Sequence, residues 1–381
     1  MDAAGDLYGT AYFGGLTADN CYSSCGVVFR MARARQGWVL KPIYTFAGGD
    51  DGGNPDASVT FGPDGTLYGT TFSGGGVSCP SGFGLGCGIV FNLRPSPSAC
   101  KSALCPWSET VLHRFAGGSQ DGALSGGAVV FDQAGNLYGT AYEGGYYSTN
   151  CAWGDEWCGV IFKLTPSNGG WTESLPHIFA GGTDGANPDA GLVFDADGNL
   201  YGTTDTNGTG EAGTVFELSP SGYGWEENIL HPFGYDGGGE HPVTSLIFDP
   251  AGNLYGSTES GGGANGNGTV FELTPAYGGW TYTQIYAFQG SSEELGPRAN
   301  LVMDNAGNLY GTAYSIGNWG LVFKLTPSDG GWIYTVLHQF AYGDGGNLPL
   351  GAVVLDANGN LYGTTSSGGA YGYGTVWEIT P

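Results

Sequence analysis

Three side chains break an otherwise repetitive pattern, and all three are of types that move protons. The string Leu-Tyr-Gly-Thr/Ser recurs seven times, beginning at Leu7, Leu67, Leu137, Leu200, Leu254, Leu309 and Leu361. Five residues after each leucine the aligned position reads Tyr12, Phe72, Tyr142, Asp205, Glu259, Tyr314 and Ser366. Two neighbouring repeats thus replace an aromatic ring with a carboxylate. His241 lies in the connection between those same two repeats, in Gly239-Glu240-His241-Pro242, where other repeats carry Asn54, Asn187 or Leu348. Glycoside hydrolysis needs two carboxylates flanking the bond, one to protonate the leaving oxygen and one to activate water or attack carbon. Adjacent repeats would set Asp205 and Glu259 roughly 7–10 Å apart, the inverting range. His241 has the ordinary pKa range of a proton-transfer group. The competing reading is two solvated acids and an inert loop histidine.

Arg298, in Gly296-Pro297-Arg298-Ala299-Asn300, is the one basic residue in these inter-repeat loops. A forked cation there neutralises neighbouring acids or clamps the carboxylate of a uronic acid. An ion pair with Glu293 or Glu294 is the structural alternative. Lyase chemistry would use His241 as base and Arg298 as charge neutraliser. Glu240 and Tyr314 complete this polar set as ligand-binding candidates. The other four histidines, His113, His177, His231 and His338, share one repeat position in Leu-x-x-Phe-like contexts, which points to packing or hydrogen bonding.

A second set of candidates is aromatic. Long loops in the first three repeats carry Tyr22, Phe83, Tyr146, Tyr147, Trp153 and Trp157. Rings on rigid loops suit stacking against the apolar face of a pyranose, and rigidity lowers the ordering cost of binding. A small core inside the loops is the alternative. The same loops hold the eight cysteines as close pairs, Cys21/Cys25, Cys79/Cys87, Cys100/Cys105 and Cys151/Cys158. Tight local pairing predicts four disulfides and an oxidising compartment. Zinc-type cysteine or histidine spacing is absent. Asp-Gly pairs at Asp51, Asp121, Asp184, Asp236 and Asp344 read first as turns. Calcium is the one ion their oxygens would suit, and no cofactor is otherwise expected.

Composition limits the partners. The 381 residues carry 10 Lys+Arg against 35 Asp+Glu, a formal charge of −25. Such a surface repels nucleic acid and anionic membranes. No apolar stretch is long enough to span a bilayer, and no signal peptide is visible. An extracellular monomer, trimmed of any leader, is expected.

The positioning elements follow from the repeat. Each Leu-Tyr-Gly-Thr/Ser run precedes an apolar strand of the type Thr214-Val215-Phe216-Glu217-Leu218 and then a Trp-led strand such as Trp332–His338. A Gly/Asp-rich loop, a short strand like Leu192–Asp195 and an Asp-x-x-Gly-Asn turn lead into the next copy. With 75 Gly and 19 Pro the chain verges on a disordered composition, but 14% aromatics and only 12% charged residues oppose that. Four short strands per repeat, seven times over, predict an all-β, seven-bladed β-propeller with four-stranded antiparallel blades. The first blade lacks its first strand and the last blade its fourth. One domain over 1–381 is expected, with repeats beginning near 1, 57, 127, 190, 245, 300 and 352, the ring closing by packing of its terminal blades or by strand exchange; a six-bladed ring with two spare strands is the alternative.

The recurring Asp-x-x-Gly-Asn-Leu-Tyr-Gly-Thr, Gly-Thr-Val-Phe-Glu-Leu-Thr-Pro and Gly-Gly-Trp elements resemble the GloVer tandem-repeat family of secreted bacterial proteins. The resemblance implies an extracellular propeller-like array and transfers no catalytic residue. Two functions follow as expectations. One is a polysaccharide-binding protein that also cleaves its ligand through Asp205, Glu259 and His241. The other is a non-catalytic module recognising glycans or a protein.

Overall fold

The computed structural model describes residues 1–19, 21–35, 37–76, 78–80, 84–95, 107–151, 156–208, 211–222, 224–234, 237–263, 266–289, 296–314, 319–341, 343 and 345–380. The fold is an all-β, seven-bladed propeller: five sheets of four strands, and three-stranded sheets at either end of the chain. The first sheet, Leu7–Ala11, Val27–Ala34 and Gly37–Thr45, lacks a first strand. The last, Val354–Leu355, Leu361–Thr365 and Thr375–Ile379, lacks a fourth. Only two single-turn helices occur among the described residues, Gly118–Gln120 and Gly182–Asp184.

By compactness the chain divides into two units, Met1–Leu200 with Leu218–Glu227, and Tyr201–Glu217 with Asn228–Pro381. The third blade shows the local logic of the first unit. Its strands are Val130–Phe131, Leu137–Ala141, Val160–Ser167 and Gly170–Ile178. Asp132 folds the turn between the first two, accepting bonds from the backbone N–H of Ala134 (2.9 Å) and Asn136 (2.8 Å), from Asn136 Nδ2 (2.7 Å) and from the Tyr138 hydroxyl (3.2 Å). These bonds favour the carboxylate and, against a burial penalty, hold its pKa below the usual range. The Asp-x-x-Gly-Asn-Leu-Tyr motif is therefore a turn clasp. The glycine after the tyrosine has a steric reason: a Cβ on Gly139 would lie 2.5 Å from Phe162 Cζ on the paired strand. Phe162, fully buried, joins Phe115, Leu137, Val160 and Leu164 in one apolar cluster.

The Trp-led fourth strands carry a further device. In the second blade Leu93 pairs with Glu109 and Phe91 with Val111, but Val90 pairs with His113, leaving Leu112 as a bulge. Residues four apart in a regular strand share a face. The bulge reverses this, so Glu109 turns toward the preceding blade and His113 toward the following one. The shift recurs in the first, third, fifth and sixth blades.

In the second unit the same packing repeats, with Tyr255, Val270, Phe288, Leu309, Phe323 and Leu325 forming one buried cluster.

Candidate functional sites

The polar candidates of the second unit lie where the Leu-Tyr-Gly-Thr/Ser strands end. His241 Nδ1 is 3.0 Å from the Asp205 carbonyl and 3.0 Å from Asp205 Oδ1. The backbone enforces this approach. His241 adopts a left-handed φ of 57°, and its N–H donates to Ala212 O at 2.9 Å. Gly213, at φ 97°, lies so close that a Cβ would sit 2.6 Å from Pro242 Cδ and 2.9 Å from Asp205 O. The hydrogen bond that His241 donates to Asp205, outweighing the cost of burial, raises the His241 pKa, with the charges of Asp205 and Glu259 adding to it.

Repeat comparison explains the site. Asn54 and Asn187 occupy the same left-handed position, at φ 55° and 58°. Their side-chain amides donate to the carbonyls of Tyr12 (3.0 Å) and Tyr142 (3.1 Å), the counterparts of Asp205. His241 makes that structural bond with an imidazole, and the acid at 205 takes the same ring nitrogen.

Glu259 is joined to His241 through the backbone, its N–H donating to His241 O at 3.0 Å. Its carboxylate forms an ion pair with Arg298, whose guanidinium carbon lies 5.6 Å from the centre of the Tyr314 ring. Glu240 is fixed by reciprocal backbone bonds to Ser260 of 2.7 and 3.1 Å. The fold thus places each acid against a base: Asp205 with His241, Glu259 with Arg298. Glu293 and Glu294, the alternative partners of Arg298, lie outside the described residues.

The aromatic candidates of the first unit sit on stapled loops. Cys21–Cys25, Cys79–Cys87 and Cys151–Cys158 are bonded as expected from sequence. Cys100, Cys105, Trp153 and Phe83 lie outside the described residues. A two-stranded ribbon pairs Tyr147 with Trp157, their ring centroids 5.2 Å apart edge to face, directly beside the last disulfide. Tyr146 and Tyr147 are 56% and 58% exposed. In the first blade Tyr22 meets Tyr12 and Phe72 at ring distances of 6.4 and 6.3 Å. Sequence reasoning passed over Tyr371 and Tyr373, which are 89% and 90% exposed in the second unit. Their Gly-Tyr-Gly-Tyr-Gly context was the available signal.

It also passed over a set of buried polar groups between blades. Tyr44 Oη lies 3.1 Å from both Asp51 and Glu109. His113 takes the equivalent place beside Asp121 (3.1 Å) and Glu173 (3.4 Å), and His177 beside Asp184 (3.4 Å) and Glu227 (3.6 Å). Burial first, then the neighbouring carboxylate, pushes Glu227 up to about 10 and Glu173 likewise upward. Burial also pushes Asp184 upward, but the His177 ring and Glu227 carboxyl outweigh it and hold Asp184 at about 2. In the second unit an aromatic pair replaces the triad: His231 stacks on Tyr282 at 4.0 Å and 6°. The signal was Trp-x-Glu at Glu109, Glu173 and Glu227, against Trp-x-Tyr at Tyr282 and Tyr334.

No helix among the described residues is long and apolar enough to cross a membrane. Among solved structures, a putative 6-phosphogluconolactonase from Bacteroides uniformis aligns over 98% of this chain and 96% of its own, with TM-score 0.56 and 14% identity. The periplasmic gluconolactonase of Pseudomonas aeruginosa aligns over 98% and 95%, with TM-score 0.55 and 15% identity. A putative 6-phosphogluconolactonase from Bacteroides fragilis aligns over 100% and 97%, with TM-score 0.55 and 15% identity. At such identities what is shared is the fold. No curated protein matches the chain. The profile of the Gloeobacter/Verrucomicrobia repeat matches residues 76–318 and 144–377, spanning most of the sequence with its recurring turn clasp and apolar strands. The chain belongs to the Gloeobacter/Verrucomicrobia repeat family.

Proposed function

We propose that this protein is a secreted, monomeric carbohydrate-binding propeller whose first unit grips a polysaccharide by ring stacking. The observation that carries the reading is the Tyr147–Trp157 pair beside the Cys151–Cys158 staple, with Tyr146 and Tyr147 exposed. An aromatic ring already held by a ribbon and a disulfide loses little freedom when a sugar packs on it. The disulfides also support export to an oxidising compartment. Pull-down on a panel of insoluble polysaccharides tests the reading. At least one should retain the protein, and Trp157→Ala and Tyr147→Ala should each release it. Retention of neither variant nor wild type on any glycan would sink the proposal.

A second reading, cleavage of the bound sugar, is favoured by the 3.0 Å contact between His241 Nδ1 and Asp205 Oδ1. A base oriented by a carboxylate is the arrangement that activates water. Its Nε2 would receive the proton while Arg298 meets developing negative charge, with Glu259 holding the guanidinium. Glu259 would serve as the acid of a glycosidic mechanism only after parting from Arg298. Product screening by mass spectrometry should include sugar lactones, the substrates that the names of the three structural neighbours suggest. Loss of turnover with retained binding in Asp205→Asn and Glu259→Gln is the expected result. Full turnover in both variants excludes this site.

A further inference from the structure

The two half-buried His–Asp–Glu triads of the first unit bring an imidazole and two carboxylates together from consecutive blades. His177 Nε2, Glu227 Oε1 and Glu173 Oε1 are buried without a hydrogen-bond partner of good geometry, as is Glu109 Oε1 at the equivalent place one blade earlier. Leaving such atoms unsatisfied is costly, and native proteins rarely do so without a purpose. In each triad one ligand atom per residue converges, all three lying within 4.8 Å of one another. The separations are also informative. Two ligands about 2.1 Å from a tetrahedral zinc ion stand about 3.4 Å apart. His177 Nε2 is 3.4 Å from Asp184 Oδ1 and 3.6 Å from Glu227 Oε1. His113 Nε2 is 3.1 Å from Asp121 Oδ1 and 3.4 Å from Glu173 Oε1.

We propose that His113–Asp121–Glu173 and His177–Asp184–Glu227 are two equivalent inter-blade sites, each holding one divalent transition-metal ion of the zinc type. One imidazole and two carboxylates form a borderline-hard ligand set that suits Zn²⁺, with Mn²⁺ as the nearest competitor. Three protein ligands leave the fourth position to water. The surroundings orient the ligands as metal sites require. Asp121 is held by the N–H groups of Ala116 and Gly122, both at 2.7 Å, and Asp184 by that of Ala180 at 2.6 Å. Each imidazole rests edge-on against a buried ring, His113 on Phe115 and His177 on Phe179, at 5.0 and 4.6 Å. A cation would also remove the conflict between paired buried carboxyls, because it favours both in their ionised form.

The other blades serve as internal controls. Where Tyr44 replaces the histidine, its hydroxyl bonds Asp51 Oδ2 and Glu109 Oε2 at 3.1 Å each, Glu109 Oε1 stays without a partner, and that blade offers no imidazole ligand. Where Tyr282 replaces the glutamate, the imidazole of His231 stacks instead. The metal is therefore assigned to the two places where an imidazole and two carboxylates converge, and its role there is to clamp consecutive blades.

The test is calorimetric titration of the chelator-stripped full chain with ZnCl₂, alongside MnCl₂ and CaCl₂. Saturable uptake of two Zn²⁺ (or Mn²⁺) ions per chain is expected, with a raised thermal midpoint. Glu173→Gln and Glu227→Gln should each remove one ion, and the double variant both, while circular dichroism stays unchanged. X-ray absorption on the wild-type zinc form should find one imidazole nitrogen among oxygen ligands, a readout independent of any variant. Uptake unaltered in the double variant would assign binding to surface acids and overturn the proposal. So would binding of Ca²⁺ alone, or zinc without a histidine ligand.

Discussion

His241 Nδ1 bridges the carbonyl and the carboxylate of one residue, Asp205, at 3.0 Å each. The carbonyl bond is an architectural bond of the repeat, made elsewhere by Asn54 and Asn187. The carboxylate bond is peculiar to this blade, so the site is a structural joint with an added acid–base pair.

This separates two roles of His241 by substitution. His241→Asn should fold normally and cost at most about 1 kcal/mol, since an amide already serves at two equivalent joints. His241→Ala should cost about 1–3 kcal/mol, because it strands a half-buried carboxylate and carbonyl. The pKa of His241 is raised in the folded state. Its contribution is therefore complete below the ordinary histidine value and disappears as pH rises through the folded value. Urea unfolding of wild type and His241→Asn across that range should show a stability difference between the two that shrinks as pH rises. An identical pH profile in the two proteins contradicts the assignment.

Glu227 gives the opposite kind of test. Its pKa rises from 4.5 to about 10 on folding. The folded state then binds the proton that the unfolded state has released, so metal-free stability falls as pH climbs between those two values. In the presence of chelator, Glu227→Gln should lose this penalty and overtake the wild type between pH 5 and pH 8, within that window. Asp184 behaves inversely: its contribution is present above the ordinary 3.8 and is lost as pH falls through about 2. A pH-independent difference between Glu227→Gln and wild type would show that Glu227 is ionised in the fold.

Gly139 tests the blade core. A methyl group there meets the Phe162 ring at 2.5 Å, and Phe162 is fully buried. Gly139→Ala should destabilise by about 1–3 kcal/mol, the usual cost of overpacking. Phe162→Leu in the Gly139→Ala background should recover part of that loss, which a double-mutant cycle in urea measures. An alanine variant as stable as wild type would mean that the strands separate freely at this point.

Much of the architecture was legible because it is local. Asp132, Asn136 and Tyr138 lie within one short turn, so their clasp is visible as a sequence motif. Three cysteine pairs likewise close across a few residues. The reading of His113 and His177 as repeated structural elements found their place and missed their company. Glu173 and Glu227 come from the next blade in each case, more than one repeat strand away in sequence.

By itself, then, the sequence determined the number of blades, the order of strands within each, and the positions where glycine is obligatory. Short apolar runs, turn chemistry and repetition are short-range properties and survive in one dimension. Only the tertiary structure decided which polar groups meet. One bulge residue in the fourth strand, such as Leu112, sends Glu109 backward and His113 forward against the parity of the strand. That reversal depends on how neighbouring blades pack, and no count along the chain contains it.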